Sequence, residues 1–210
     1  MKLYMFPIAP NPTKVRLYLA EKKHAGHELP VEEVVVDLRE GEQGSPEHLA
    51  RNPFGRLPVL ELDDGTYLIE SLPMISYLEE LHPEPPLIGA TALERARTLT
   101  IERIAETGVL TPIARIVHAT DSPLGLPPNP ELAAVFRESL VKACEVLNDR
   151  LSDGRPFLMG DHVTIADCTL AAGLQMGRFK NVEPDPSLEH LARWNAAYRE
   201  RNAAKDVLLV

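Results

Sequence analysis

The run His82-Pro83-Glu84-Pro85-Pro86 constrains the fold more than any other stretch of the chain. Proline fixes φ, lacks a backbone N–H and pushes the preceding residue out of the helical region, so neither a helix nor a central strand can pass through. The run therefore reads as a stiff linker dividing the 210 residues in two. Short apolar runs and helical patterns alternate before it, and every strong pattern after it is helical. This predicts a first domain over 1–82, a linker over 83–90 and a second domain over 91–210. The length suffices for two modest cores.

In the first domain, residues 2–6 form a short strand. An amphipathic run with Val15, Leu17, Tyr18 and Leu19 follows, with Asn11 as its N-cap, Pro12 at the first helical position and Ala25-Gly26 as its end. Glu32 to Asp37, containing Val34-Val35-Val36, is a second strand, parallel to the first by the usual crossover. Polar, Gly-rich residues from Arg39 to Asn52 read as a loop with a short helix. Leu57 to Leu62, the turn Asp63-Asp64-Gly65 and Thr66 to Ile69 make a hairpin. Ser71 caps a helix with Leu72, Ile75, Tyr77, Leu78 and Leu81. The order βαβ then ββα is that of a thioredoxin-like α/β domain.

The second part reads as all-α. Residues 91–118 form a long helix, or a pair, broken near Pro112. Leu132, Val135, Phe136, Leu140, Ala143, Leu147 and Leu151 recur at steps of three and four in the next helix. Thr164-Ile165-Ala166-Asp167 is a capping box, in which the Asp167 carboxylate reaches back to the Thr164 amide. The helix that it opens is apolar on most sides and belongs in the core. Leu188 to Tyr198 is the last predicted helix.

Composition removes several functions. The net charge of −9 comes with no dense Lys/Arg run, which argues against nucleic acid. No run approaches the ~18 apolar residues of a membrane span. The N-terminal apolar residues meet Pro7 too soon for a secretory signal. Cys144 and Cys168 have no Cys-x-x-Cys spacing, which suits a reducing, cytoplasmic setting and a core role for both. The seven histidines are scattered without a ligand-spaced pair, so no metal site is expected.

Three motifs, Asn52-Pro53-Phe54-Gly55-Arg56-Leu57-Pro58-Val59-Leu60, Leu68-Ile69-Glu70-Ser71 and Val163-Thr164-Ile165-Ala166-Asp167, resemble those of cytosolic glutathione transferases of bacterial type, and the likeness spans nearly the whole chain. The resemblance implies a cis bond before Pro58 that turns the Leu57 backbone toward the cysteinyl part of glutathione. It also implies Glu70 and Ser71 on the γ-glutamyl group, and Gln43 and Arg56 on the remaining polar groups. A helix start at Ser71 suits a carboxylate, since free amides and the helix dipole both favour an anion. Taken singly, Pro58 also reads as an edge-strand proline, Glu70-Ser71 as a plain cap, and Gln43 and Arg56 as solvated side chains.

The sequence departs from the family at the thiol-activating position. The Ser of several classes falls on Ala9, and the first domain has no cysteine to form a mixed disulfide. Pro10-Asn11 resembles a bacterial class that handles glutathione disulfide, although the Thr of that class is again Ala9. Asn11 is the residue expected to donate to the sulfur, with Tyr4 and Thr13 as further candidates. The expected activity is addition of the glutathione thiolate to a hydrophobic electrophile held between the domains, near Ile8 and around Ile104, Gly108 and Ile113. Glutathione-dependent disulfide reduction and non-enzymatic binding on the same fold stand as alternatives. The resemblance further implies a homodimer, a detoxifying role and glutathione as cosubstrate.

Overall fold

A computed structural model describes residues 1–210. The first domain runs β1 (Lys2–Met5), α1 (Pro10–His24), β2 (Glu32–Val35), a single 3-10 turn at Glu42–Gly44, α2 (Pro46–Arg51), β3 (Val59–Glu61), β4 (Tyr67–Ile69) and α3 (Ser71–Leu81). The sheet order is β2-β1-β3-β4, with β1 and β2 parallel and the other pairs antiparallel. This is the expected thioredoxin-like arrangement.

Strand periodicity decides which side chains meet which helix. Leu3, Met5 and Leu60 point to the face covered by α1 and α3, where they pack with Val15, Tyr18, Met74, Ile75 and Leu78. Tyr4 and Val59 point the other way and pack with Val36. β2 is shorter than predicted. The Val36 N–H still reaches the Met5 carbonyl at 2.8 Å, but Asp37 turns the chain away by accepting from the Arg39 amide at 2.9 Å.

The linker is gripped from below. The Lys22 ammonium, fully buried, donates to the His82 and Pro85 carbonyls, each at 2.7 Å, and pairs with Glu79 at 2.8 Å. The other Glu79 oxygen accepts from the Ile88 amide at 2.9 Å. Burying this pair is tolerable because nearly every polar atom of it is occupied.

The second domain comprises α4 (Ala92–Ala105), a wide π-type turn (Glu106–Leu110), α5 (Thr111–Thr120), α6 (Pro130–Arg150), α7 (Ile165–Phe179), α8 (Glu189–Arg199) and α9 (Asn202–Val207). The break expected near Pro112 is this widened turn, which lies one residue ahead of a proline that cannot donate to the ladder. The core runs along α7, buried without interruption from Ile165 to Gly177. A Cβ on Gly173 would lie 2.9 Å from the Leu110 Cα, so only glycine lets α7 pass the π turn this closely.

Asp167 takes the predicted place in the cap of α7 and does more than cap. Its carboxylate accepts from the Thr164 amide (2.9 Å) and hydroxyl (3.0 Å), from the Leu158 amide (2.9 Å) and from the Trp194 indole (3.0 Å). Burial nevertheless raises its pKa to about 6. α9 was not anticipated. It is one short turn and a half whose Ala203 and Ala204 bury against the core, a pattern too brief to register as periodic.

α1 belongs to both domains. Leu17 and Ala20 join the helical core while Val15 and Tyr18 join the core under the sheet. Its polar side chains bridge to the second domain: Lys14 lies 2.6 Å from Glu102 and also pairs with Glu106, and Arg201 forks onto Glu21 at 2.9 and 2.5 Å.

Candidate functional site

The site grows from the starts of α1 and α3. Contrary to expectation, Asn11 is not the cap of α1. Ala9 holds that position with extended backbone and Pro10 is the first helical residue, since its fixed φ and missing N–H suit that place as well as Pro12 would. Freed from capping, Asn11 reaches across to α3, where the Ser71 hydroxyl donates to its Oδ1 at 3.3 Å. Asn11, half-buried at the second position of α1, has an Nδ2 that donates to nothing in the chain. Ser71 likewise is not a cap but the first residue of α3, 4% exposed. Its hydroxyl serves Asn11 instead.

Glu70 precedes it at φ 70°, in the left-handed region that few non-glycine residues adopt. Its exposed carboxylate has no partner in the chain. Strain of this kind is tolerated where surrounding structure fixes the backbone, and it gathers at functional sites. The amides of Ser71 and Leu72, the first of α3, have no intrahelical acceptor.

Leu57 stands opposite this pair. The β3–β4 register matches Val59 with Ile69, so extending it two residues brings Leu57 level with Ser71. The Leu57-Pro58 bond is cis, and neither the N–H nor the carbonyl of Leu57 is hydrogen-bonded within the chain. The loop before it is stapled by Asn52, 3% exposed, whose side chain donates to the Arg56 carbonyl at 2.9 Å and accepts from the Phe54 amide at 3.1 Å. His48 adds a contact to the same carbonyl at 3.1 Å. The only sequence signal for this part of Asn52 is the Asn52-Pro53 pair, typical of a side-chain-mimicked turn.

Gln43 belongs to that loop's neighbourhood, its backbone carbonyl 3.1 Å from where a Gly55 Cβ would lie, and its Oε1 is buried without a partner. Arg56 is exposed, its guanidinium 6.0 Å from the Phe54 ring. The structure thus draws Asn11, Leu57, Glu70 and Ser71 together, and sets Gln43 and Arg56 in an adjoining loop with no direct contact to Asn11 or Ser71.

The other thiol-activating candidates are committed elsewhere. The Tyr4 hydroxyl donates to Glu61 at 2.6 Å, and burial followed by that bond pushes its pKa up to about 12. Thr13 is fully buried, with its hydroxyl on the Pro7 and Ala9 carbonyls. The residues expected to line an electrophile pocket also move. Ile113 is wholly in the helical core, and a Cβ on Gly108 would strike Ala143 of α6. Ile104 and Gly108 instead line a groove of about 600 Å³ between α4 and α6. The contacts to α1 from this part of the chain come from Glu102 at the end of α4 and Glu106 at the start of the π turn, both paired with Lys14.

The four-stranded sheet with its helices, followed by an all-helical part, defines the thioredoxin-like class with a helical second domain. The sequence comparisons narrow this further. The chain matches the family described as "Glutathione S-transferase, N-terminal domain" over residues 3–86 and "Glutathione S-transferase, C-terminal domain" over residues 129–201. It is 32% identical over 212 residues to Glutathione S-transferase 2 of Saccharomyces cerevisiae, covering 99% of this chain and 89% of the yeast protein. The crystal structure of Gtt2 from that yeast superposes with a TM-score of 0.89 over 99% of this chain and 100% of the yeast chain, at 32% identity. A glutathione S-transferase domain-containing protein of Marinobacter aquaeolei VT8 superposes at 0.88 with 34% identity, over 97% of this chain and 100% of that one. The chain belongs to the glutathione S-transferase family.

Proposed function

We propose that this chain is a glutathione transferase that binds glutathione along the edge formed by Leu57, Glu70 and Ser71 and activates its thiol with Asn11. The observation that carries the reading is the Ser71–Asn11 hydrogen bond, which couples an anion-binding helix start to an unpartnered amide donor. The γ-glutamyl carboxylate takes the first α3 amides and, once the Ser71 hydroxyl turns its single proton away from Asn11 Oδ1, that hydroxyl as well, and the Glu70 carboxylate takes the neighbouring ammonium. The free Leu57 N–H and C=O pair with the cysteinyl backbone as another strand would. Gln43 and Arg56 take the remaining polar groups of the tripeptide. The thiolate then adds to a hydrophobic electrophile, with proximity and charge stabilisation as the two sources of rate.

The magnitudes are sufficient. A free thiol near pKa ~8.5 is only a few per cent thiolate at neutral pH. Lowering it by two units takes about 2.7 kcal/mol. A helix start gives up to ~2 and a hydrogen bond to a charged acceptor ~1.5–3. A second reading, reduction of small disulfides by bound glutathione, rests on Pro10-Asn11 and on the burial of both cysteines, which leaves exchange to two glutathione molecules. Calorimetry with glutathione tests binding, and turnover of a chlorinated nitrobenzene against a small disulfide separates the two activities. Absence of binding at millimolar glutathione would end both.

The reading includes the division at 1–82 and 91–210, a cytoplasmic location, a detoxifying role and a homodimer. The exposed Phe54, Tyr67 and Leu81 on the first domain and Leu93 on the second support an apolar contact between copies. Sedimentation measures it. No helix is long and apolar enough to cross a membrane.

A further inference from the structure

The segment from Pro7 to Ala9 carries no regular structure of its own, yet it leads directly into the first turn of α1, where the proposed chemistry needs Asn11 held to a fraction of an ångström. The Thr13 hydroxyl reaches back to the Pro7 carbonyl at 3.1 Å and the Ala9 carbonyl at 2.9 Å. That hydroxyl is itself fixed: Gln175 Nε2, on α7 of the second domain, donates to it at 3.2 Å. Gln175 has no freedom to turn, because its Oε1 accepts from the Leu209 amide at 2.6 Å, in the segment after α9. Thr13 and Gln175 are both 0% exposed. Arg16 runs parallel to this chain of bonds, 3.5 Å from both the Pro7 carbonyl and the Val207 carbonyl.

An amide in a helical core is an expensive choice unless both ends are used. Here both are, and one end serves the loop that presents Asn11. We infer that Gln175 is a positioning residue for thiol activation: it fixes the Thr13 hydroxyl, and through it the Pro7–Ala9 turn that leads into Asn11, with the segment Leu208–Val210 as its outer support. The second domain thereby sets the geometry of an amide donor in the first domain without touching glutathione. The inference rests on the reading of Asn11 as the thiol donor.

The test compares wild type with Gln175→Met, Thr13→Val, Thr13→Ser and a deletion of 208–210. Bound-glutathione thiolate absorbance is titrated against pH, glutathione affinity is measured by calorimetry, and hydrogen exchange of residues 6–13 is followed without ligand. Gln175→Met and Thr13→Val are expected to raise the bound thiol pKa by about one unit, lowering thiolate and turnover at neutral pH roughly threefold, while affinity changes less than about twofold. The deletion moves the pKa the same way by less, and Thr13→Ser, which keeps the hydroxyl, restores the wild-type value. The double variant Gln175→Met/Thr13→Val is no worse than either alone, since both cut one chain of bonds. Exchange over 6–13 rises in each variant that raises the pKa. An unchanged thiol pKa in a folded Gln175→Met or Thr13→Val protein that binds glutathione overturns the inference. If Gln175→Met does not fold, Thr13→Val against Thr13→Ser decides alone. Wild type that fails to bind glutathione removes the transferase reading, and the exchange data then judge the coupling on its own: equal exchange in all variants overturns it.

Discussion

Replacing Asn11 by Asp is the most discriminating single change in the proposed site. Asp preserves shape and keeps the oxygen that accepts from Ser71 at 3.3 Å. It loses the Nδ2 donor and sets a negative charge where the thiolate forms. A lost hydrogen bond to a charged group is worth ~1.5–3 kcal/mol. Charge repulsion at ~4 Å reaches ~4 kcal/mol at an effective dielectric of about 20, and less at a half-solvated position such as this one. Taking ~2.7 kcal/mol as a cautious total, the bound thiol pKa returns from ~6.5 to ~8.5. Thiolate at pH 7 then falls ~25-fold, and turnover with it. Stability moves the other way, because an acid in the first turn of α1 gains ~0.3–1 kcal/mol from the helix dipole. The assay is a pH titration of thiolate absorbance in both bound proteins, beside their thermal melts. An Asn11→Asp protein with intact glutathione binding and an unmoved thiol pKa refutes the role given to Asn11.

Other changes separate support from chemistry. Ser71→Ala removes a hydroxyl from the anion site and should weaken glutathione binding by ~1.5–3 kcal/mol in calorimetry; unchanged affinity would place the carboxylate elsewhere. Asp167→Ala leaves the Leu158 and Thr164 amides and the Trp194 indole stranded in a dry core. It should cost ~3–5 kcal/mol, seen as a melt lower by ~10 °C, with glutathione affinity retained. That cost depends on pH. Asp167 titrates near 6 when folded against 3.8 ordinarily, so the folded state binds the extra proton between those values. Wild-type stability attributable to Asp167 is therefore fullest below about pH 4 and declines through pH 6. The gap between wild type and Asp167→Ala should narrow by up to ~3 kcal/mol over that range, and a gap that widens contradicts the sign. Glu79→Gln leaves Lys22 charged and buried with only carbonyl partners, and should destabilise by ~3 kcal/mol in denaturant melts; a loss under ~1 would mean that the linker grip matters little.

How much of this was legible depends on the range of the interactions. The strands, α3, α6 and α7 announced themselves through periodicity, and the Thr164–Asp167 cap through a spacing of three. The two further donors to Asp167 come from 9 and 27 residues away, and no local pattern carries them. The start of α1 lies two residues earlier than the sequence predicts because Pro10 and Pro12 both suit a first helical residue, and only the Ser71 contact tells which role Asn11 takes. Gly108 and Ile113 face elsewhere than the expected pocket for a related reason. A π turn adds a residue to the helical repeat, so every side chain beyond Glu106 faces a direction that a 3.6-residue count does not give. The pairing of Leu57 with Ser71 was implied by motif order, but its basis is the hairpin register, which the turn at Asp64-Gly65 fixes.

α1 explains why the site cannot be assigned to one domain. A helix that served only the sheet would show an apolar stripe on one side and solvated charge on the other. α1 shows neither: Val15 and Tyr18 face the sheet, Leu17 and Ala20 face the helical core, and Lys14 and Lys22 are fully buried between them. Lys14 has two carboxylates for one ammonium. Burial raises the pKa of Glu102, whereas for Glu106 the attraction of Lys14 outweighs burial and lowers it, so Glu102 is the member that holds a proton most readily. Such a pair is poor as a source of stability, because desolvation offsets most of the attraction. It is effective at fixing register, since sliding α1 along α4 by one turn would strand a charge in the core. Asn11 lies three residues from Lys14 and two from Thr13, so the contacts that lock α1 against the second domain also set the position of the amide proposed to face the thiol. On that proposal the placement is decisive, because a single neutral donor at a helix start reaches the required ~2.7 kcal/mol only when its geometry is held.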